Sequence, residues 1–367
     1  MKTARVLWVL AILCIAAASD ISWGSTVVVQ NASFETGGFG TLSSWTGTGS
    51  FGSDDGSIGY VNIDTSSNTI PPDGSRAGYI QGNGSSISQS LSGFAVGSNY
   101  WVSYRENLRR GNDSPNMSVS LGGTTIVSDH AVTYNGQYYQ PVISSAFPAG
   151  NATNTLTFTT TVPSGDRTAL VDDVNVWTLD GNMPNAGPRA NSSFETPTAL
   201  GPNGFTYGPG GAHWDFTGGG GIARNGSDFS NPPAPDGTQV AFLQGSGIIF
   251  DVFGTFEAGR LYQLTFYDAA RPGFGGNTYQ VTLGGQTLTF GGNTTRTSTS
   301  TSWSSITSDV FTVTFDGPQV LTFTGLNSTE DVTTFFDLIQ FIPEPSVLML
   351  LVSGGLLLWR RRNLERH

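Results

Sequence analysis

Two tandem all-β sandwiches are the architecture this 367-residue chain predicts, on three observations. One long stretch is written twice in the same order. Apolar residues alternate at period two in short runs bounded by glycine, asparagine, aspartate and proline. No convincing amphipathic helix interrupts those runs outside the two termini.

The first copy opens with Asn31-Ala32-Ser33-Phe34-Glu35-Thr36, which returns about 160 residues later as Asn191-Ser192-Ser193-Phe194-Glu195-Thr196. A tryptophan follows each, Trp45 and Trp214. Pro72-Asp73-Gly74 with Ile80-Gln81-Gly82 then matches Pro235-Asp236-Gly237 with Leu243-Gln244-Gly245. Gly97-Ser98-Asn99-Tyr100 leads into the alternating run Tyr100–Tyr104, and Gly259-Arg260-Leu261-Tyr262 leads into Tyr262–Phe266. Arg109 falls on Arg271. Met117–Leu121 and Thr155–Thr159 are further strand runs, matched by Tyr279–Leu283 and Val320–Phe323. Leu121-Gly122-Gly123-Thr124 and Leu283-Gly284-Gly285 are hairpin turns that use glycine's access to positive φ. Each copy closes on a strand bearing aspartate, Val171-Asp172-Asp173-Val174 and Phe335-Phe336-Asp337-Leu338. This alignment sets Asp173 on Asp337 and Phe336 on Asp172. The division follows: a signal peptide and leader at 1–25, a first sandwich at 26–180, a Gly/Pro-rich linker at 181–188, a second sandwich at 189–342 and a tail at 343–367. A repeat this long means tandem domains rather than a solenoid.

These motifs resemble the galactose-binding-domain-like jelly rolls, and among them the carbohydrate-binding modules often joined to bacterial glycanases. The resemblance covers Val27–Thr178 and Arg189–Ile342 and implies two jelly rolls. It also implies a structural calcium between the first and last strands, held by Glu35 with Asp173 and by Glu195 with Asp337, with backbone carbonyls completing the shell. Ca²⁺ takes about six to eight hard oxygens at ~2.4 Å, which loops of this kind supply. The alternative is that Glu35 caps a turn and Asp173 accepts backbone hydrogen bonds.

Both ends carry addresses. Lys2 and Arg5, the apolar Val6–Ile15 and the small Ala16-Ala17-Ala18 form a signal peptide. At the other end Pro343-Glu344-Pro345 precedes an apolar run, Ser346–Trp359, and then Arg360-Arg361-Arg362. The run is shorter than the ~20 residues of a relaxed membrane helix, and the arginines hold the cytoplasmic side. This tail resembles the PEP-CTERM sorting signal, which implies recognition and removal by an exosortase after a stay in the membrane as a short hydrophobic helix. The expected location is the envelope, surface or extracellular matrix of a bacterium.

Composition narrows the function. Formal net charge is −11, and the body between the termini carries arginine but no lysine, so nucleic acid is repelled as a partner. The one cysteine, Cys14, lies in the signal peptide, which excludes disulfides, thiol nucleophiles and thiolate metal sites from the mature body. Twenty-three Phe, 11 Tyr and 8 Trp argue for packed cores rather than disorder. No nucleophile elbow, zinc-protease helix or phosphate loop occurs, so no catalytic residue is assigned. Sugar binding needs an aromatic face and planar polar groups, and the candidates are Trp45, Tyr104 and Arg109 in the first copy and Trp214, Tyr267 and Arg271 in the second. Each ring has an alternative role as core packing, and each arginine as a hydrogen-bond hub. The expected function is non-catalytic binding of extracellular polysaccharide. The competing readings are a structural protein making protein–protein contacts and, third, a glycan-processing enzyme.

Overall fold

The computed structural model describes residues 27–55, 70–136, 138–162, 165–179, 191–198, 200–328 and 331–343. The expected signal peptide and linker, and the tail beyond Pro343, lie outside the described residues. Every described pairing between strands is antiparallel, and no helix is present among the described residues.

The first module contains β1 (Gly37–Gly38), β2 (Thr41–Leu42), β3 (Thr46–Asp54), β4 (Ala77–Ser92), β5 (Asn99–Leu108), β6 (Asn116–Leu121), β7 (Thr124–Ala131), β8 (Gln140–Ile143), β9 (Phe147–Pro148), β10 (Thr153–Thr161) and β11 (Thr168–Thr178). The second contains β12 (Phe205–Tyr207), β13 (Asp215–Thr217), β14 (Gly220–Arg224), β15 (Gln239–Gln244), β16 (Ile248–Phe256), β17 (Leu261–Ala270), β18 (Thr278–Leu283), β19 (Gln286–Thr287), β20 (Arg296–Thr297), β21 (Ser304–Thr307), β22 (Phe311–Thr312), β23 (Gly317–Gly325) and β24 (Thr333–Pro343).

The two modules share one topology. In the second, one layer runs β12-β14-β15-β24-β17-β21 and the other β13-β16-β23-β18-β19. In the first, the matching layers are joined because β4 belongs to both. Its first residues, Ala77–Gln81 and their neighbours, pair with β3 and β11, and Ser86–Ser92 pair with β10. Gly82 and Gly84, at φ of 87° and 68°, turn the strand from one layer into the other. The second module breaks the same path at Gly245–Gly247 into β15 and β16.

Alternation accounts for the cores. Along β6, β10 and β18 every second residue is buried, so Met117, Val119, Leu121, Leu156, Phe158, Tyr279, Val281 and Leu283 point between the layers. Gly122 and Gly123 at φ of 57° and 81°, and Gly284 and Gly285 at 54° and 81°, form the two tight hairpins.

Register corrects one alignment drawn from sequence. Asp172 stands opposite Arg105 on β5, and Asp337 stands opposite Tyr267 on β17. Asp337 therefore matches Asp172, and Leu338 matches Asp173. Both closing strands carry an irregularity here, with Asp173 at φ 57° and Leu338 at φ 51°. A gapless string comparison misses this because the neighbouring residues, Val174 and Ile339, are apolar in either frame.

Candidate functional site

The repeated opening motif is first a loop-building device. Asn31 folds its side chain onto the Thr36 N–H and the Thr36 and Ser43 carbonyls, and its own carbonyl accepts from Trp45 Nε1 at 3.2 Å. Asn191 does the same with Thr196 and Ala212, and accepts from Trp214 Nε1 at 3.1 Å. Phe34 and Phe194 enter the cores against those tryptophans, with ring centroids 5.3 and 5.1 Å apart. Glutamate then reaches to the next repeated motif. Glu35 Oε1 accepts from the Ser75 and Arg76 N–H groups, both at 2.8 Å, and Glu195 Oε1 accepts from Thr238 and Gln239 at 2.9 and 2.8 Å. The closing aspartates grip the same loops. Asp172 Oδ2 accepts from the Asp73 N–H at 3.0 Å, and Asp337 Oδ2 accepts from Asp236 at 2.9 Å. A side chain at Gly74 or Gly237 would put its Cβ 2.2 or 2.3 Å from the glutamate carboxyl, which explains glycine in both copies.

At the position expected for an ion in the second module, the carboxylates are already committed: Glu195 accepts from Thr238 and Gln239, and Asp337 accepts from the Asp236 and Leu338 N–H groups. Burial pushes the Asp337 carboxyl up to about 7, and the charges of Asp236 and Glu195 act in the same direction. In the first module the matching acids are Glu35, Asp73 and Asp172. The Asp173 carboxylate accepts from Asn175 at 2.9 Å and lies 3.5 Å from Arg105 Nε. Asp73, Asp173 and His213 each bring one ligand-type atom within 4.8 Å of the others, the one such group found among the described residues. The Arg105 guanidinium already supplies positive charge beside it.

The six candidate sugar contacts divide. Trp45, Tyr104 and Trp214 are core residues, between 1% and 5% exposed, and offer no ring face to a ligand. Tyr104 packs edge-on to Phe158 at 5.0 Å, and burial, with the Glu106 charge, holds its phenol well above its ordinary range. Tyr267 is half-buried on the outer face of β17. Arg109 and Arg271 each sit in an identical group. Arg109 pairs with Asp166 at 3.0 Å, and Arg271 pairs with Asp331 at 3.1 Å. The Gln81 and Gln244 amides donate to those same aspartates. Gln81 and Gln244 were visible as repeats in the sequence; their role needed coordinates, because their aspartate partners lie far along the chain.

The second module adds rings to this group. The Arg271 guanidinium lies between Phe229 and Phe274, 4.4 and 3.9 Å from the ring centroids. Tyr207 packs beside Phe229 and Phe242 and donates its hydroxyl to Gln244. Tyr207 and Phe274 are both exposed. An open aromatic surface therefore borders an amide, a carboxylate and a fixed guanidinium.

Two further sites escaped sequence reasoning. His130 Nε2 lies 3.0 Å from both Glu106 oxygens, and Nδ1 lies 3.0 Å from the Ser128 carbonyl. Acceptors at both ring nitrogens favour the imidazolium, and the Glu106 contact leads the causes that raise its pKa to about 9. Arg296 and Asp268 make the corresponding pair in the second module, at 2.9 Å. The other site is Arg105, fully buried where the modules meet.

No protein-family model matches the chain, and no curated protein sequence does. Among solved structures it is similar to the N-terminal CBM22-1-CBM22-2 tandem domain from Paenibacillus barcinonensis Xyn10C, at 13% identity and a TM-score of 0.32, over 88% of this chain and 98% of that one. It is similar to TmCBM61 in complex with beta-1,4-galactotriose, at 15% identity and a TM-score of 0.31, over 42% of this chain and 99% of that one. A third likeness is to the tandem CBM51 modules of Sp3GH98 from Streptococcus pneumoniae SP3-BS71, at 10% identity and a TM-score of 0.23, over 78% and 87%. At these identities and scores no residue role is carried over from any of them.

The His130 pair sets a pH dependence. Its pKa is raised in the folded chain, so the protonated form stabilises it; that contribution is complete below the ordinary value of 6.5 and is lost as pH climbs through about 9. Melting temperatures of the wild type and of Glu106→Gln should therefore differ at pH 6 and converge by pH 10. Equal differences at both pH values would refute the assignment.

Proposed function

We propose that this chain is an exported, non-catalytic surface protein that holds a neutral polysaccharide along one edge of each sandwich. The observation that carries this reading is the twice-built group of arginine, aspartate and glutamine, bordered in the second module by the exposed rings of Tyr207 and Phe274. A pyranose presents a C–H face to a ring and hydroxyls to planar polar groups, and this edge offers both. The guanidinium is immobilised by two rings and a carboxylate, so little side-chain entropy remains to be lost on binding. Net charge of −11 disfavours polyanions and leaves neutral glycans as the fitting class.

The binding test is a glycan array probed with the mature two-module chain, followed by titration of each hit. Tyr207→Ala and Arg271→Met should each weaken binding by roughly tenfold, on the order of 1.4 kcal/mol. Retention of full affinity in both variants would move the site elsewhere.

Calcium belongs to the same proposal as a structural ion at the Glu195–Asp337 loop, with a counterpart at Glu35 and Asp172. When bound, it would supply positive charge that tethers the first and last strands through shared carboxylates. After treatment with EGTA, added Ca²⁺ should raise the melting temperature of the wild type but not of a variant combining Glu35→Gln, Asp172→Asn, Glu195→Gln and Asp337→Asn. A wild-type transition indifferent to Ca²⁺ removes the ion from the account.

The tail is proposed as an exosortase sorting signal on the strength of its own residues, Pro343-Glu344-Pro345, the short apolar run and Arg360–Arg362. Mass spectrometry of the protein recovered from the cell surface should show a C-terminus near Pro343-Glu344-Pro345, and alanine in place of Glu344 should retain the tail. Surface protein ending at His367 contradicts this.

A further inference from the structure

Where the modules meet, one guanidinium faces three carboxylates. Arg105 on β5 lies 2.6 Å from Asp251 on β16, 3.0 Å from Asp215 on β13 and 3.5 Å from its own module's Asp173. It is 0% exposed, and the three aspartates are 3% to 5% exposed. Asp73 and His213, 3.7 Å apart, flank this group at its more open side. Around the charges lies an apolar seam of Trp101 and Trp177 from the first module and Val252 from the second, with Ile143, Leu179 and Val320 packed on it. The backbones also join: Pro71 and Pro72 carbonyls accept from the Gly211 and His213 N–H groups, and the Thr178 carbonyl accepts from Thr255 Oγ1 at 2.9 Å. Gly317 lies so close that a Cβ there would be 2.8 Å from Trp101.

The duplication provides an internal control. By register, the second module has Gln263, Tyr267 and Ile342 where the first has Trp101, Arg105 and Trp177. On the opposing side, the first module has Thr46, Gln89, Ser90 and Thr155 where the second has Asp215, Asp251, Val252 and Val320. Both copies keep the fold, so the fold does not require these residues. What they serve is the contact. Each copy bears one half of a complementary pair, and neither bears the other half, so this head-to-tail contact stops at two instead of propagating.

We propose that the Trp101–Arg105–Trp177 face is a dedicated docking surface for the second module, which makes the tandem one rigid, bivalent body. Arg105 is then a positioning residue. It touches no ligand, yet it fixes the distance between the Arg109 edge and the Arg271 edge. That second clause rests on the polysaccharide reading above. A rigid spacing raises the effective concentration of the second site only for a chain long enough to span both.

The test uses the mature chain. Small-angle scattering and ¹⁵N relaxation of the wild type should fit one rigid particle with a common tumbling time. Arg105→Met removes the guanidinium shared by three buried aspartates, and it should split the single calorimetric transition into two and broaden the scattering profile. Arg105→Met combined with Asp215→Asn and Asp251→Asn should restore much of the coupling. Titration with soluble galactan, xylan and glucan, each beside its own trisaccharide, should show polymer affinity falling several-fold in Arg105→Met while trisaccharide affinity holds. Independent tumbling of the wild-type modules overturns the docking surface, as does an Arg105→Met profile identical to wild type. Failure of every glycan to bind would count against the polysaccharide reading alone, because tumbling and calorimetry judge the docking without a ligand.

Discussion

The bulge in the closing strand of the first module is the constraint from which the remaining arrangement follows. On a regular strand, neighbouring side chains leave opposite faces. With Asp173 at φ 57°, the irregularity between Asp172 and Asn175 breaks that alternation and re-aims the two consecutive aspartates. Asp172 holds the loop at Asp73 within its own module, and Asp173 joins the charges around Arg105. The second module keeps the bulge but places Leu338 at the second position, so it retains the loop anchor and drops the outward charge. One backbone feature therefore supports both the internal loop and the junction.

Buried charge explains why the junction is specific. Ionised groups removed from water must be paired, and a guanidinium can meet several carboxylates at once because its donors point in fixed directions. Arg105 draws Asp215 and Asp251 into register and the tryptophans close around them, so a shifted docking would strand carboxylates in an apolar seam. The apolar contacts supply attraction, and the charges select the geometry.

Much of the fold was legible because duplication and period-two alternation are written along the chain. Tyr100–Tyr104, Met117–Leu121 and Thr155–Thr159 lie in β5, β6 and β10, and the two glycine hairpins fall where their Gly-Gly pairs stand. Jelly-roll order was reached through resemblance. Site residues were harder to read. Trp45 and Trp214 look like sugar platforms in a string, yet their indole N–H groups are committed to the Asn31 and Asn191 carbonyls, which draws them inward. Arg109 and Arg271 were visible as a repeat, but Tyr207 was not, since it falls between the Asn191–Thr196 block and Trp214, in a stretch longer than its counterpart in the first copy. Arg105 carried no signal because it has no counterpart: comparing copies highlights what they share, and a junction depends on what they do not.

The continuous β4 has a mechanical consequence. A strand shared by both layers transmits load from one to the other, so a pull on either layer of the first module is borne by pairings to β3, β10 and β11 together. In the second module the break at Gly245–Gly247 leaves the layers joined by a short turn, which can extend before either sheet shears. Under load the second module is therefore the more compliant of the two.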